Sequence, residues 1–240
     1  MRVNFGGFVP LSTVDWRGRA VCTVFLRGCP VRCDYCHNRS IQDGEDYRDT
    51  GEILSMIGES RLLVSGVIFS GGEPTLQKAP LVEMAAACKK MGLLVGLQTN
   101  GIFPATLEAL LEQRLLDRVA LDIKARWERY DNLLKRKYVD RVKRSLLLCR
   151  QAHDEGALAE FEVVVTLFRG LEDEVQYISK EAGGVDFVLQ QGVMGSIAPL
   201  TQAEMKGVAD QLGRRVKIRT REEGEVEYEG HRSRWITRER

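Results

Sequence analysis

The chain has 240 residues, 44% hydrophobic and 29% charged, with a formal net charge of +1. This describes an ordinary globular chain and excludes a disordered, collagen-like or disulfide-stapled one. The balanced charge advertises neither nucleic acid nor an acidic membrane surface, and no apolar run reaches transmembrane length.

The chain begins Met1-Arg2-Val3-Asn4-Phe5-Gly6-Gly7, too short and mixed for a targeting peptide, so a reducing cytoplasmic setting is expected. The first β-rich run is Val21–Leu26, and after it comes Cys29-Pro30-Val31-Arg32-Cys33-Asp34-Tyr35-Cys36-His37-Asn38. Three thiolates spaced by four and three residues can wrap one face of an iron–sulfur cube. Clusters that only carry electrons normally take four thiolates. A cube held by Cys29, Cys33 and Cys36 keeps one iron open for a substrate or cofactor. Two alternatives stay open. Zinc modules pair C-x-x-C with a second ligand pair further on, and here His37 is adjacent while His153 and His231 stand alone. The cysteines could also be incidental buried thiols, the role expected of the scattered Cys22, Cys88 and Cys149.

The second run, Leu63–Phe69, leads into Ser70-Gly71-Gly72-Glu73-Pro74-Thr75. Paired glycines let backbone approach a ligand closely, and Glu73 adds an acceptor. Acceptors without donors suit a cationic amine, whereas a phosphate would want a Lys and the longer P-loop pattern. A helical pattern follows at Leu81, Val82, Met84, Ala85 and Cys88, with Pro80 near its start. The third run, Leu93–Leu97, ends in Gln98-Thr99-Asn100-Gly101, and a helix is expected through Leu107, Leu110, Leu111 and Leu115 after Pro104. The fourth, Arg118–Ile123, ends Asp122-Ile123-Lys124, with a helix through Val139, Val142, Leu146 and Cys149. The fifth is Phe161–Leu167; the sixth, Val185–Leu189, ends Gln190-Gln191 and precedes a helix through Met205, Val208, Ala209 and Leu212.

Alternating strands and helices with short links imply parallel strands and right-handed crossovers. The expected architecture is a partial TIM-like (β/α)6 barrel, with a doubly wound open sheet as runner-up. No linker divides the chain, which reads as one domain over 1–240: a core at about 19–213 and a charged extension at 214–240. The extension opens on a possible strand at Val216-Lys217-Ile218. It reads as a solvated tail, or as an Arg/Trp contact surface around Arg234 and Trp235. Working residues of parallel α/β folds gather at strand ends, and every distinctive motif here falls at one.

C-x-x-x-C-x-x-C with an aromatic before the last cysteine, followed one strand later by Gly-Gly-Glu-Pro, resembles the radical S-adenosylmethionine superfamily over about Phe5 to Gln191. The resemblance implies a [4Fe–4S] cluster on Cys29, Cys33 and Cys36, with the fourth iron chelating S-adenosylmethionine. It implies reductive cleavage to a 5′-deoxyadenosyl radical that abstracts a hydrogen atom. Gly71, Gly72 and Glu73 would hold the methionyl amine, and Tyr35 and His37 flank the last cysteine, where backbone meets adenine. Thr99, Asn100 and Lys124 would lie near the ribose and carboxylate, and Asp122 joins the cofactor-binding set.

Only residues 37–70 separate Cys36 from Gly71, too few for an inserted ferredoxin-like domain. Cys-His-Asn, Ser12–Gly18, Thr99-Asn100-Gly101 and Asp122-x-Lys124 together resemble glycyl-radical-enzyme activases, nearest to those of anaerobic ribonucleoside-triphosphate reductase. That implies a large glycyl-radical-enzyme partner and a low-potential donor such as ferredoxin or flavodoxin. Two positions depart from the pattern: Gln98 replaces an acidic residue, and Val163-Val164-Val165 replaces a strand that carries Arg in several relatives, with Arg169 just beyond. A 7-carboxy-7-deazaguanine synthase-like enzyme acting on a small molecule or nucleic acid is the second reading. A non-catalytic iron–sulfur or zinc module is the third.

Overall fold

The structure is a computed structural model describing residues 1–134, 136–195 and 197–230. Ten strands form one sheet: β1 (Arg2–Ser12), β2 (Val21–Leu26), β3 (Tyr47–Asp49), β4 (Gly66–Gly71), β5 (Leu94–Thr99), β6 (Arg118–Asp122), β7 (Glu160–Leu167), β8 (Asp186–Gln191), β9 (Arg215–Thr220) and β10 (Gly224–Glu229). The crossovers are α1 (Thr50–Ser60), α2 (Lys78–Lys90), α3 (Pro104–Glu112), α4 (Trp127–Leu134) with α5 (Val139–Asp154), α6 (Glu172–Ala182) and α7 (Gln202–Leu212).

The strand order is β10-β9-β8-β7-β6-β5-β4-β2-β1-β3, and every pair from β2 to β9 is parallel. Across the parallel strands, β2 to β9, that order never reverses. With right-handed crossovers all helices therefore fall on one face, and the other face curls inward. A doubly wound sheet needs a reversal to place helices on both faces, so the runner-up architecture is excluded. The sheet does not close on itself; β3 and β10 are its edges. The result is the open, partial barrel expected.

The main core lies between sheet and helices, where Val67, Phe69, Val95, Leu97, Val119, Leu121, Val163, Val165, Phe187 and Leu189 meet Leu81, Met84, Leu107, Val142 and Cys149. Cys22 and Cys88 are buried there too. The alternate residues point inward. They form two small apolar layers, Trp16 with Val21 and Ile68, and Ala120 with Val164 and Val188. Between the layers sits a buried ion pair, Arg118 to Glu162 at 2.5 Å.

Several elements escape hydrophobic patterning. β1, β3, β10, α1, α4 and α6 follow no apolar run singled out above. The predicted strand at Leu63–Phe69 begins at Gly66 instead, because Leu62 and Leu63 lie exposed in the preceding loop. β4, β5 and β8 run past the apolar segment to Gly71, Thr99 and Gln191. Their last inward residues are polar because they border water. The charged segment after 213 continues the sheet: β9 is a seventh parallel strand and β10 its antiparallel partner. Arg234 and Trp235, and the contact surface read there, lie outside the described residues. No described helix is long and apolar enough to cross a membrane.

Candidate functional site

At the C-terminal ends of the strands lies a cavity of about 240 Å³. All twelve sequence-predicted site residues line it: Cys29, Cys33, Cys36, Tyr35, His37, Gly71, Gly72, Glu73, Thr99, Asn100, Asp122 and Lys124.

The cysteine loop is held from both sides. Gly28 and Cys29 donate their N–H groups to Ile41 and Gln42 carbonyls, and Gln42 Nε2 donates back to Val31 O at 3.0 Å. Val31 is buried and pins the loop to the core. A turn closed by Cys36 N–H to Cys33 O at 3.1 Å places the last two thiols together. Across the barrel, Tyr35 packs on Phe168 with ring centroids 4.6 Å apart.

The glycine pair serves a backbone approach different from the one expected. Gly71 has φ +122°, and a Cβ there would lie 2.4 Å from Leu26 O. A Cβ on Gly72 would lie 2.4 Å from Gly28 O. The near neighbour is the chain leaving β2 toward the cysteines. Gly72 N–H and Glu73 N–H donate to Leu26 O and Gly28 O, both at 2.8 Å. Asn38 Nδ2 then donates to Gly71 O at 2.8 Å. The Gly-Gly-Glu turn and the cysteine loop are thus one hydrogen-bonded unit.

Glu73 is 1% exposed, and its carboxylate accepts from Thr75 N–H (3.0 Å), the Thr75 hydroxyl, Thr99 Oγ1 (2.7 Å) and Asn100 N–H (2.8 Å). Burial pushes this carboxyl up, and the Thr75, Asn100 and Thr99 donors pull it part of the way back. Glu73 is therefore the tie between two strand ends, and Thr99 spends its hydroxyl on that tie.

Lys124 is not solvated. It is 9% exposed and pairs with Asp122 Oδ2 at 2.6 Å, 5.7 Å above the Tyr35 ring. Burial would lower this ammonium, but Asp122, Tyr35 and Cys33 outweigh it and hold it well above the usual lysine range. Asp122 Oδ1 is buried without a hydrogen-bond partner among the described residues. Gln98 Oε1 accepts from Ser70 Oγ at 2.8 Å.

The donor set fits an iron–sulfur cube. Among the described residues no three His, Cys, Asp or Glu side chains converge on a single ion. A cube asks for something else, one thiolate per iron. Burial pushes the Cys29 thiol up to about 11 and raises Cys33, so metal must displace protons there. Asn100 Nδ2 donates toward Cys29 Sγ at 3.7 Å, a contact that suits a sulfur carrying negative charge.

Sequence reasoning missed part of the wall. Val31 and Asn38 lie inside the cysteine segment, Gln42 lies just beyond it, and Ser70 and Gln98 fill inward positions at strand ends. Arg219 enters from β9, out of the segment read as a tail. The signal for it was the alternation Lys217-x-Arg219 across one face of a strand. Arg169, just beyond the fifth strand, does not line the cavity and pairs with Glu204 at 2.8 Å. Arg221 Nη2 reaches His37 Nε2 at 3.4 Å.

The model of the Radical SAM superfamily matches residues 23–182. A candidate glycyl-radical enzyme activating enzyme of Methanocaldococcus jannaschii is 35% identical over 157 residues, covering 63% of this chain and 65% of that one. Pyruvate formate-lyase 1-activating enzyme of Escherichia coli strain K12 is 34% identical over 126 residues, covering 49% and 50%. A 7-carboxy-7-deazaguanine synthase of Hyperthermus butylicus is 39% identical over 87 residues, covering 35% and 36%. The chain thus spans between about a third and two thirds of the length of these curated relatives. In fold, a structure of TYW1 with a lysine-pyruvate adduct bound superposes with TM-score 0.63 at 16% identity, over 88% of this chain and 80% of that one.

Proposed function

From a chain that belongs to the Radical SAM superfamily, whose members use a [4Fe–4S] cluster and S-adenosylmethionine, we propose a glycyl-radical-enzyme activase. One observation carries the reading: the cysteine loop, the Gly-Gly-Glu turn and the Thr-Asn-Gly strand end share one cavity at the open end of a barrel. When bound, the cluster and S-adenosylmethionine would supply the one-electron chemistry that removes a hydrogen atom from a glycine Cα, and the residues of this chain would bind, orient and shield them.

Cys29, Cys33 and Cys36 hold three irons in this reading, and Asn100 donates to the Cys29 sulfur. The carbonyls of Gly71 and Gly72 would offer acceptors to the methionyl amine, with Glu73 fixing that turn to Thr99 and Asn100. Lys124 faces the carboxylate with Asp122 behind it, while Thr99 and Asn100 border the ribose. Tyr35 and His37 frame the adenine. Phe168 packs against Tyr35 on that side.

The partner we favour is an anaerobic ribonucleoside-triphosphate reductase, with a ferredoxin or flavodoxin as cytoplasmic electron donor. The activating-enzyme relatives at 34–35% identity support the activase class. The test is anaerobic reconstitution, reduction and addition of S-adenosylmethionine with a candidate partner. A glycyl EPR doublet on the partner is expected, and replacing any one of Cys29, Cys33 or Cys36 by Ala removes both the cluster absorbance and the doublet. The 7-carboxy-7-deazaguanine synthase likeness supports a second reading, a small-molecule substrate. A stoichiometric small-molecule product formed without any partner protein would replace the first reading by the second.

A further inference from the structure

The cavity has two unlike halves. Its cysteine, Gly-Gly-Glu and Thr-Asn-Gly residues come from β2, β4 and β5 and the loops after them. The opposite wall comes from β7, β8 and β9. There Thr166, Gln190 and Arg219 are register neighbours in one row on the inner face, and all three line the cavity. None belongs to the cofactor set above. Gln190 and Arg219 also lie beyond residue 182, outside the stretch that the superfamily model matches.

The chemistry of this row is specific. Arg219 gives Nε and Nη2 to Glu225 Oε2, at 3.0 and 2.6 Å, and Nη2 also stands 3.5 Å from Glu162 Oε1. Its third nitrogen, Nη1, has only a long contact of 3.4 Å to Gln190 Oε1. Among the described residues neither Gln190 Nε2 nor the Thr166 hydroxyl has a hydrogen-bond partner. The row therefore offers guanidinium and amide donors together with amide and hydroxyl acceptors. Arg219's own charge is countered locally by Glu225 and Glu162. The floor beside it is small and apolar, Ala120 and Val164. A carboxylate would meet a guanidinium already paired with Glu225 and would approach Glu162 behind it. A neutral backbone amide, which needs one donor pair and one acceptor and brings no side chain at glycine, finds all its partners.

We propose that Thr166, Gln190 and Arg219 form the substrate subsite and bind the backbone amide groups flanking the target glycine, with Glu225 positioning and neutralising Arg219. The inference rests on the activase reading and names how its substrate is held.

The probe is a synthetic peptide bearing an α-deuterated glycine between neutral residues, and the same peptide with Asp beside the glycine. Peptide-dependent 5′-deoxyadenosine and deuterium transfer into it are measured with reconstituted enzyme. Gln190→Ala and Arg219→Ala are each expected to raise the KM for the neutral peptide by about 3–10-fold, the loss of one hydrogen bond. Glu225→Gln leaves the cavity lining in place and uncovers the guanidinium charge. It should shift preference toward the Asp peptide by about tenfold. Gln190→Ala removes no charge, so it decides the matter if Arg219→Ala does not fold. A wild-type KM in Gln190→Ala together with unchanged peptide preference in Glu225→Gln overturns the subsite and leaves the activase reading standing. Absence of deuterium transfer from any glycine peptide or partner by the wild-type enzyme overturns both.

Discussion

Replacing Glu73 should damage the apo protein before any cofactor is considered. Its carboxylate takes four donors inside the wall between β4 and β5. Glu73→Ala strands all four. The Thr75 and Thr99 hydroxyls can rotate to other acceptors, but the N–H groups of Thr75 and Asn100 are fixed by the backbone. A buried donor left unpaired costs about 1–3 kcal/mol, so two cost about 2–6 kcal/mol. That is a large share of the ~5–15 kcal/mol that holds a domain together. Glu73→Gln keeps one oxygen for the Thr75 and Thr99 donors but turns an amide NH2 toward another donor. Its cost should therefore be about 1–3 kcal/mol. Urea titration of metal-free protein followed by circular dichroism reads both. With a slope of about 2 kcal/mol/M, the Ala variant should lose about 1–3 M in midpoint and the Gln variant roughly half of that. An Ala midpoint within about 0.2 M of wild type would show that Glu73 is not the tie described and would leave it a purely ligand-facing acceptor.

Three further outcomes follow from the same geometry. Gly72→Ala forces a Cβ to 2.4 Å from the Gly28 carbonyl oxygen, so the backbone entering the cysteine loop must move. We expect a cost of about 1–3 kcal/mol and weaker iron retention against a chelator; wild-type values for both would refute the close packing. Burial alone would raise the Glu162 carboxyl, but Arg118, Arg219 and Lys217 hold it below the usual carboxylate range. A depressed folded pKa adds stability that is present above the unfolded value and lost as pH falls through the folded one. Glu162→Gln should thus cost about 3–5 kcal/mol at neutral pH by stranding Arg118, with the difference from wild type shrinking below about pH 4.5. A pH-independent difference in thermal midpoint would contradict this. Asn100→Ala removes the Nδ2 contact to Cys29 Sγ and should move the cluster midpoint potential to a more negative value in a redox titration. An unchanged potential would mean that the contact has no electrostatic weight.

Local chemistry made much of this protein legible from its residues. The three cysteines carry their spacing within one loop, so reading them as one ligand set needed no tertiary information. Six apolar runs separated by helical periodicity specified parallel β/α units, because buried parallel strands must be apolar on both faces. The Gly-Gly-Glu and Thr-Asn-Gly turns announced themselves as strand ends, and they stand on one cavity. Other features could emerge only when the chain closed up. Strand order, not strand content, separated a curled sheet from a doubly wound one. Gly71 and Gly72 read as room for a ligand, yet the nearest atoms are those of Leu26 and Gly28, distant in sequence and adjacent across a parallel pair. Glu73 read as a free acceptor, and its partners include Thr99 and Asn100 from the next strand. Arg219 was hidden in a charge-dense run, where a half-buried, paired guanidinium looks the same as a solvated one. What distinguishes them is the register that sets it beside Gln190 and Glu225, a relation between strands that no single strand contains.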